Sequence, residues 1–376
     1  MAVVAYRTQM RQSTKASSGE GVPCHGERLR AYLREVRQSL SGLRLKCGRI
    51  SCQDVVMARK STRQRKQVRA CGTGVICQGD AFDLVEELGE NSVDLVLTSP
   101  PYWGLRSYGL KARSDVLEQW KAAGHKASEV PAYAWYRDAG GVLGLEPYPD
   151  WYVRHLVEFF GRVQRPLRSC GSVWVNLGDT YFARWSSIRD NGRQGYEEGR
   201  LRRRTPAGGY LHDKQLLLMP ARFAIAMQDA GWILRNDLIW AKPNVMPRPE
   251  TDRLRLSHEH WFHFVQRQAR TRPKYYYDLN GTEEGALDFV ICPAESGNDG
   301  HTATFPLGLI RPRILTSCPK GGLVLDPFCG TARAVTEAIS LERRGLGFEL
   351  SKVHAAAARR RMKKMVSKVT REVPEA

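Results

Sequence analysis

The amino-acid sequence predicts an α/β protein built on a doubly wound, mostly parallel sheet. Short aliphatic and β-branched runs alternate with segments of helical spacing from Cys71 to about residue 360. Alternating strands and helices favour parallel pairing, because each parallel connection needs a crossover. Two runs, which end at Ser99 and Asp326, are followed at once by loops of unusual composition. Open α/β sheets bind ligands beyond the carboxyl ends of their strands, so these two ends mark the candidate site.

The first half of this region predicts three strands separated by helices. The stretch "GVICQGDAFDLVEELGENSVDLVLTSPPY" is typical of strand, helix and strand, with turn residues Gly79 and Asp80 ending the first strand. A polar and aromatic insert at about 104–148 follows. Then "PDWYVRHLVEFFGRVQRPL" has helical spacing, and "CGSVWVNLGD" is a strand that ends at Asp179.

The second half repeats the alternation after an Arg- and Gly-rich insert at 182–212. The segment "LMPARFAIAMQDAG" predicts a helix and "WILRNDLIWAKP" a strand that Pro243 ends, because proline cannot donate to a ladder. The stretch "SHEHWFHFVQ" is either a buried strand or a helix. Near the end, "GGLVLDPFCGTARAVTEAISLERRGLGFELS" predicts strand, loop, helix and strand.

The net charge of +19 is concentrated at the two ends of the chain. Residues 1–70 hold 16 Lys and Arg against 4 Asp and Glu, and residues 351–376 hold 8 against 2. We therefore expect a basic, flexible leader at 1–70, a near-neutral domain at 71–360 and a basic tail at 361–376. "MARKSTRQRKQV", from Met57, would itself suit a protein start, so we interpret residues 1–56 as an extension of the reading frame. Basic ends favour a nucleic-acid partner, and solvated tails are the alternative.

Composition argues against membrane and secreted classes. The longest apolar stretches fall well short of a membrane span, and the first residues lack a signal-peptide pattern. Nine scattered cysteines fit a reducing cytosol better than a disulfide framework. The spacing of Cys24, His25, Cys47 and Cys52 is not that of a zinc site, so we predict no metal. These features predict a cytoplasmic, soluble protein.

The stretch "LTSPPYWGLRSYG" holds the chain stiffly just past a strand end. Pro100 and Pro101 fix their own φ angles and donate nothing to a ladder. In "LVLDPFCGTARAV", Gly330 lets a ligand approach the backbone before a helix that begins near Thr331. Glu349 ends the next strand, where an acid can accept hydrogen bonds from both ribose hydroxyls. The alternatives to a nucleoside site are a plain strand-to-helix turn and a site for a nicotinamide cofactor. A nicotinamide site would leave the stretch "SPPY" without a role.

In their order, these segments resemble the amino-group DNA methyltransferases that use S-adenosylmethionine, in the subclass whose catalytic motif precedes the cofactor motif. The resemblance covers about 71–360 and implies a Rossmann-like methyltransferase fold. The implied catalytic residues are Ser99, Pro100, Pro101 and Tyr102. The implied cofactor-binding residues are Asp326, Phe328 and Gly330 in the loop, Glu349 for the ribose, Asp80 near the adenine, and Phe305 in the segment from His301. Ala332 departs from the family, which has glycine there.

The chemistry of amino methylation gives these residues roles. The Ser99 hydroxyl and the Pro100 carbonyl can accept the two amino hydrogens as the nitrogen becomes tetrahedral. Tyr102 offers a ring on which a flipped base stacks, while Trp103 is less secure and can simply pack. In the family that the sequence resembles, adenine enzymes more often carry Asp or Asn where Ser99 stands, so the resemblance favours N4 of cytosine. N6 of adenine is the alternative, and a catalytically inactive DNA-binding relative is another. Ring-carbon methylation needs a Pro-Cys nucleophile, and Pro23-Cys24 lies in the leader with no strand before it.

The predicted partner is double-stranded DNA, with a cognate restriction endonuclease as a further partner. The usual recognition domain of the subclass has no room before His301, so the inserts at 104–148 and 182–212 are our candidates for target reading. Predicted DNA-binding residues are Arg184, Arg193, Arg202, Arg203, Arg204, Trp240 and Lys242. The alternatives to DNA binding are that the arginines form a solvated loop, that Trp240 is buried in the core and that Lys242 is solvated. The resemblance places the protein in a prokaryotic or phage-infected cell, near the nucleoid.

Overall fold

The structure is a computed structural model, and it describes the chain from Gly74 to Arg371 with gaps. The described residues are 74–104, 112–182, 185–187, 202–204, 208–245, 251–268, 272–279, 287–295 and 306–371. Three of the features predicted from the sequence lie outside the described residues. They are the basic leader, the alternative start at Met57, and the cysteine and histidine residues at 24, 25, 47 and 52. Most of the insert at 182–212 also lies outside.

Ten strands and eight helices are defined within the described residues. The strands are β1 (Gly74–Gln78), β2 (Val93–Thr98), β3 (Leu167–Leu177), β4 (Trp185–Ser187), β5 (Arg202–Arg204), β6 (Trp232–Ala241), β7 (His258–Gln266), β8 (Phe289–Ile291), β9 (Leu323–Asp326) and β10 (Arg344–Glu349). The helices are α1 (Ala81–Leu84), α2 (Val116–Ala122), α3 (Tyr133–Asp138), α4 (Pro149–Val163), α5 (Met219–Asp229), α6 (Leu307–Ser317), α7 (Arg333–Ser340) and α8 (Lys352–Arg371).

Eight of these strands form one sheet in the order β1-β10-β9-β2-β3-β7-β6-β8. Pairing is parallel from β1 to β3 and between β6 and β8, whereas β7 runs antiparallel to both of its neighbours. The predicted doubly wound, mostly parallel sheet is therefore confirmed. After β2 the chain adds β3 on one side, and after β9 it adds β10 on the other. The order thus reverses between β2 and β9, which is where such sheets bind ligands.

The strands and helices follow the apolar pattern of the sequence. In β3 the run Val173 to Val175 is fully buried because helices cover both faces of a parallel sheet. Helix α4 begins with Pro149 at its first turn, where a missing N–H costs nothing, and buries Leu156 and Phe159 against the core. On the other face, α6 packs Ile310 and Ile314 into a cluster with residues of β2 and β9.

Several elements differ from the sequence interpretation. The insert at 104–148 contains two short helices, α2 and α3, and β8 extends the sheet at its edge. The stretch "SHEHWFHFVQ", predicted as either a strand or a helix, is strand β7. The boundary placed between 360 and 361 falls inside α8, because the helical backbone continues to Arg371. In the described part of the chain, no helix is long and apolar enough to span a membrane.

Candidate active site

A cavity of about 340 Å³ opens at the carboxyl ends of β1, β2, β9 and β10. Both loops that the sequence singled out line it. Ser99 and Tyr102 come from the loop after β2, and Gly330 comes from the loop after β9. The geometry therefore brings the predicted catalytic and cofactor residues into one site.

The two loops are tied together where their strands end. The Thr98 hydroxyl donates to Asp326 Oδ1 over 2.7 Å, and both residues are buried. The Phe328 N–H donates to the same oxygen over 3.2 Å. Burial raises the pKa of Asp326 to about 7, although these two hydrogen bonds oppose the shift. Asp326 thus fixes the cofactor loop to β2 from inside the protein.

Glu349 is held at the end of β10 as an acceptor. Its Oε2 accepts the Gly330 N–H over 3.0 Å, and its Oε1 accepts the Ser351 N–H over 2.8 Å. Each carboxylate oxygen has a second lone pair, so a ribose diol can donate to both oxygens without breaking these bonds. Burial raises the pKa of Glu349 to about 7. The arrangement fits the nucleoside end of S-adenosylmethionine.

Ala332 lies two residues after Gly330 with φ 61°, in the left-handed region. A residue with a Cβ is strained there by about 1–2 kcal/mol, which is why glycine is usual in such turns. The Ala332 methyl is fully buried beside Ile76 and Val335, and this packing offsets the strain. The departure from the family therefore leaves the turn in place.

Asp80 follows β1, which pairs with the strand that ends at Glu349, and it lines the same cavity. Its Oδ1 accepts the Phe82 N–H over 2.9 Å, and its Oδ2 accepts the Tyr133 hydroxyl over 3.3 Å. Tyr133 stacks on Phe82 with ring centroids 3.6 Å apart. Burial raises the pKa of Asp80. Tyr133 was missed by the sequence reasoning, because it comes from the insert and reaches the cavity only through tertiary packing.

The part of the cavity beside the catalytic loop, which we call the target side, is organised around the Tyr102 hydroxyl. It lies 2.8 Å from Asn176 Oδ1 and 2.9 Å from Glu259 Oε2. Burial and the Glu259 carboxylate hold the pKa of Tyr102 well above its ordinary value, so the hydroxyl stays protonated and donates. Asn176 also donates from Nδ2 to the His260 carbonyl, which fixes the direction of its amide.

Trp240 and Lys242, two of the predicted DNA-binding residues, line this cavity. Lys242 pairs with Glu259, and its Nζ lies 4.1 Å from the centroid of the Trp240 ring. The Trp240 Nε1–H donates to the Cys292 carbonyl over 2.7 Å. Glu259 was missed by the sequence reasoning; its one signal was a charge at the start of an otherwise buried strand.

The remaining residues that the sequence singled out lie outside the described chain, are described by their backbone only, or do not line the cavity. Phe305, Arg184 and Arg193 lie outside the described residues. Arg202, Arg203 and Arg204 form β5, whose backbone pairs with β4. Trp103 is buried and donates from Nε1 to the Glu146 carbonyl over 3.0 Å, so it packs. Asp179 accepts the N–H groups of Thr180 and Met219, and it caps the start of α5.

The raised pKa of Glu349 predicts pH-dependent binding of S-adenosylhomocysteine, the demethylated form of the predicted cofactor. Diol donors favour the ionised carboxylate, so affinity should be level above pH 7 and fall below it, by up to about tenfold per pH unit. Glu349→Gln should bind roughly 10- to 150-fold more weakly at pH 8, through loss of charge-assisted hydrogen bonds, and with a shallower slope.

Isothermal titration calorimetry between pH 6 and pH 8 measures this dependence. Asp326→Asn is compared by its pH slope alone, because Asp326 also holds the cofactor loop. It removes the other carboxyl whose pKa is raised to about 7 and retains Glu349, so the slope should persist. A slope in Glu349→Gln equal to that of the natural protein would remove Glu349 from the ligand site.

Comparison with known proteins agrees with this geometry. Residues 93–360 match the model of a family of N6 and N4 methyltransferases described as DNA methylase. The type II methyltransferase M.SmaI of Serratia marcescens is 33% identical over 298 residues, which cover 76% of this chain and 90% of the relative. The type II methyltransferase M.Cfr9I of Citrobacter freundii is 32% identical over 283 residues, which cover 73% and 82%.

A solved structure shares the fold. The PvuII DNA methyltransferase, described as cytosine-N4-specific, superposes with a TM-score of 0.52 at 17% identity, covering 79% of this chain and 93% of that chain. The family match spans both loops of the cavity, and it confirms the resemblance and the cofactor. The chain belongs to the N6/N4 DNA methylase family, and it is a DNA methyltransferase that uses S-adenosylmethionine as its methyl donor.

Proposed function

We propose that this enzyme methylates N4 of cytosine within a specific sequence of duplex DNA. The observation that carries the proposal is Ser99, because in the family that the sequence resembles, serine at this position belongs mostly to cytosine-N4 enzymes. This neutral residue is half-buried at the end of β2 and opens into the cavity that holds Glu349. A single-oxygen acceptor at that point takes an amino hydrogen without adding a charge to the pocket.

The proposed mechanism rests on two acceptors held by a stiff chain. S-adenosylmethionine supplies an electrophilic methyl group when bound. The cytosine amino nitrogen is a poor nucleophile, because its lone pair is delocalised into the ring. The Ser99 hydroxyl and the Pro100 carbonyl accept its two hydrogens and favour the tetrahedral nitrogen. One of these hydrogens leaves as a proton to solvent when the N–C bond forms.

A base inside a duplex cannot reach this cavity, so the target nucleotide is flipped out. Tyr102 supplies the stacking surface, a contact worth about 1–3 kcal/mol in nucleic-acid sites. The anchors of its hydroxyl, Asn176 and Glu259, hold the ring in one orientation. The ring is therefore in place before the base arrives, which lowers the ordering cost of binding.

The relatives support a role in restriction and modification. M.SmaI and M.Cfr9I are type II methyltransferases, and the PvuII enzyme is described as cytosine-N4-specific. We accordingly propose a cognate restriction endonuclease that cuts the same sequence when it is unmethylated. The chemistry at Ser99 would also act on N6 of adenine, which is the second candidate because the family includes both activities.

We assign target reading to the inserts at 104–148 and 182–212. Both follow strands that end at the cavity, β2 and β3, so they leave the sheet on the side where DNA must approach. The arginines of the second insert, Arg184, Arg193 and Arg202 to Arg204, would contact phosphates or guanine edges. The basic leader would add sequence-independent attraction that weakens with salt.

Ser99→Ala should reduce turnover by at least about 100-fold and leave cofactor affinity nearly unchanged, because the lost acceptor matters most in the transition state. Mass spectrometry of nucleosides from DNA treated with enzyme and labelled cofactor identifies the product. We expect label in N4-methylcytosine and none in 5-methylcytosine. Label in N6-methyladenine would overturn the cytosine assignment. Label in no nucleoside, although the cofactor binds, would contradict the proposal that this site methylates DNA.

Gly178→Ala should impair methylation by displacing the Tyr102 ring and its anchor Glu259, whose Oε1 a Cβ there would approach to 3.2 Å. A Cβ at Gly178 would lie 2.9 Å from Tyr102 Cε2, a distance that real Cβ atoms essentially never show, so the ring must shift. A displacement of this kind should lower kcat by about tenfold or more with unchanged cofactor affinity. Gly161→Ala in α4 is the control, because a Cβ there meets no atom within 4 Å. Equal kcat values for the two variants would contradict the role of the ring.

A further inference from the structure

A buried acid and histidine lie directly beneath the catalytic loop. Glu146 and His155 are both fully buried, and Glu146 Oε1 lies 3.1 Å from His155 Nδ1. Neither residue lines the cavity. Burying a carboxyl group costs free energy of folding unless its oxygens have hydrogen-bond partners. The partners of Glu146 therefore indicate what the buried pair does.

The segment around Glu146 is closed by one hydrogen bond of its own and is bonded to the end of the catalytic loop at two points. Glu146 Oε2 accepts the Gly144 N–H over 2.8 Å, and the Glu146 carbonyl accepts the Trp103 Nε1–H over 3.0 Å. The Gly104 N–H donates to the Gly144 carbonyl over 2.8 Å. The chain from Pro101 to Gly104 is thus bonded to the chain from Gly144 to Glu146.

Gly144 shows how close this approach is. Its φ is +90°, and a Cβ added there would lie 3.2 Å from both Pro101 Cβ and the Tyr102 carbonyl oxygen. Any shift of Gly144 is therefore transmitted to the two residues that follow Pro100. The preceding residue, Leu143, lines the cavity wall.

His155 anchors Glu146 to a rigid helix. It lies in α4, and its Nε2 is 3.1 Å from the Pro131 carbonyl oxygen. A carbonyl only accepts, so Nε2 carries a hydrogen and donates it. One further proton then lies between His155 Nδ1 and Glu146 Oε1. Both ring nitrogens are satisfied, and α4 holds the insert at Pro131 and at Glu146.

We propose that Glu146 is a positioning residue for methyl transfer, which aligns the Ser99 to Tyr102 loop through the Gly144 N–H and is itself held by His155. It acts through hydrogen-bond geometry and not through charge. The proposal rests on methyl transfer at Ser99 and holds whichever amino group is the target, so it is independent of the choice between cytosine and adenine.

Two substitutions separate geometry from charge. In Glu146→Gln the amide oxygen can accept from Gly144, and the amide NH₂ can donate to Nδ1 of a neutral His155, so both bonds survive without the carboxylate. Glu146→Ala removes both bonds. We expect Glu146→Ala to lower kcat by about 100-fold, as misplacements near 1 Å do, and to leave cofactor affinity within about twofold. Glu146→Gln should restore kcat to within a few-fold of the natural value.

Ser172→Ala is the matched control for loss of a buried hydrogen bond. Ser172 Oγ lies 3.0 Å from Nε2 of the buried His263, on β3 and away from the cavity lining. Ser172→Ala should lower the melting temperature but leave kcat unchanged. Gly144→Ala is a second variant, which keeps Glu146 and His155 and replaces Glu146→Ala in the test if that variant does not fold. It should lower kcat by about tenfold or more through contact with Pro101.

The measurements are kcat and the single-turnover rate of methyl transfer at saturating cofactor and DNA, calorimetric cofactor affinity and thermal melting on the full chain. A Glu146→Gln variant as slow as Glu146→Ala would overturn the geometric role in favour of charge. Natural kcat values in Glu146→Ala or, where that variant does not fold, in Gly144→Ala would overturn the proposal. A Ser172→Ala variant as slow as Glu146→Ala would reduce the effect to general destabilisation and would also overturn it.

Discussion

The hydrogen bond from Thr98 to Asp326 is the contact on which the site depends. It joins the carboxyl ends of β2 and β9 over 2.7 Å, although the two residues are 228 positions apart in the chain. The strand order of the sheet reverses between these strands, so the loops that follow them leave toward opposite sides. Because Asp326 is buried, it needs this donor, and the bond consequently sets the spacing between the catalytic loop and the cofactor loop.

The insert at 104–148 bridges the two halves of the cavity. Tyr133 contacts Asp80 on the cofactor side, whereas Gly144 lies against the catalytic loop on the target side. His155 joins these parts, because it bonds both the Pro131 carbonyl and Glu146. A segment predicted as a polar and aromatic insert, and as a candidate for target reading, therefore forms a wall of the site.

Local sequence predicted the sheet and the strand ends well, for physical reasons. Aliphatic runs that stop abruptly at Ser99 and Asp326 are visible without any tertiary knowledge, since proline and glycine punctuate the chain there. Glu349 was predictable because it ends a strand of the same pattern. Short elements such as α3 and β8 were not predicted, because their six and three residues carry too little periodicity.

Residues that act through distant partners escaped as well. Glu259 and Asn176 meet Tyr102 only after β3 and β7 pair, and the His155 to Glu146 contact forms only when the insert packs on α4. Their side chains are ordinary polar residues within their local segments. Neither periodicity nor composition marks them, and the packed sheet reveals them.

The most direct test of a single site formed at two strand ends is Thr98→Val, which keeps the shape of the side chain and removes the donor to Asp326. Single-turnover methyl transfer and cofactor affinity are measured beside Thr336→Val, whose hydroxyl bonds only within its own helix region. We expect Thr98→Val to weaken cofactor binding by about tenfold or more and to slow methyl transfer at saturating cofactor. Thr336→Val should change neither quantity. Natural values of both quantities in a folded Thr98→Val enzyme would contradict this expectation.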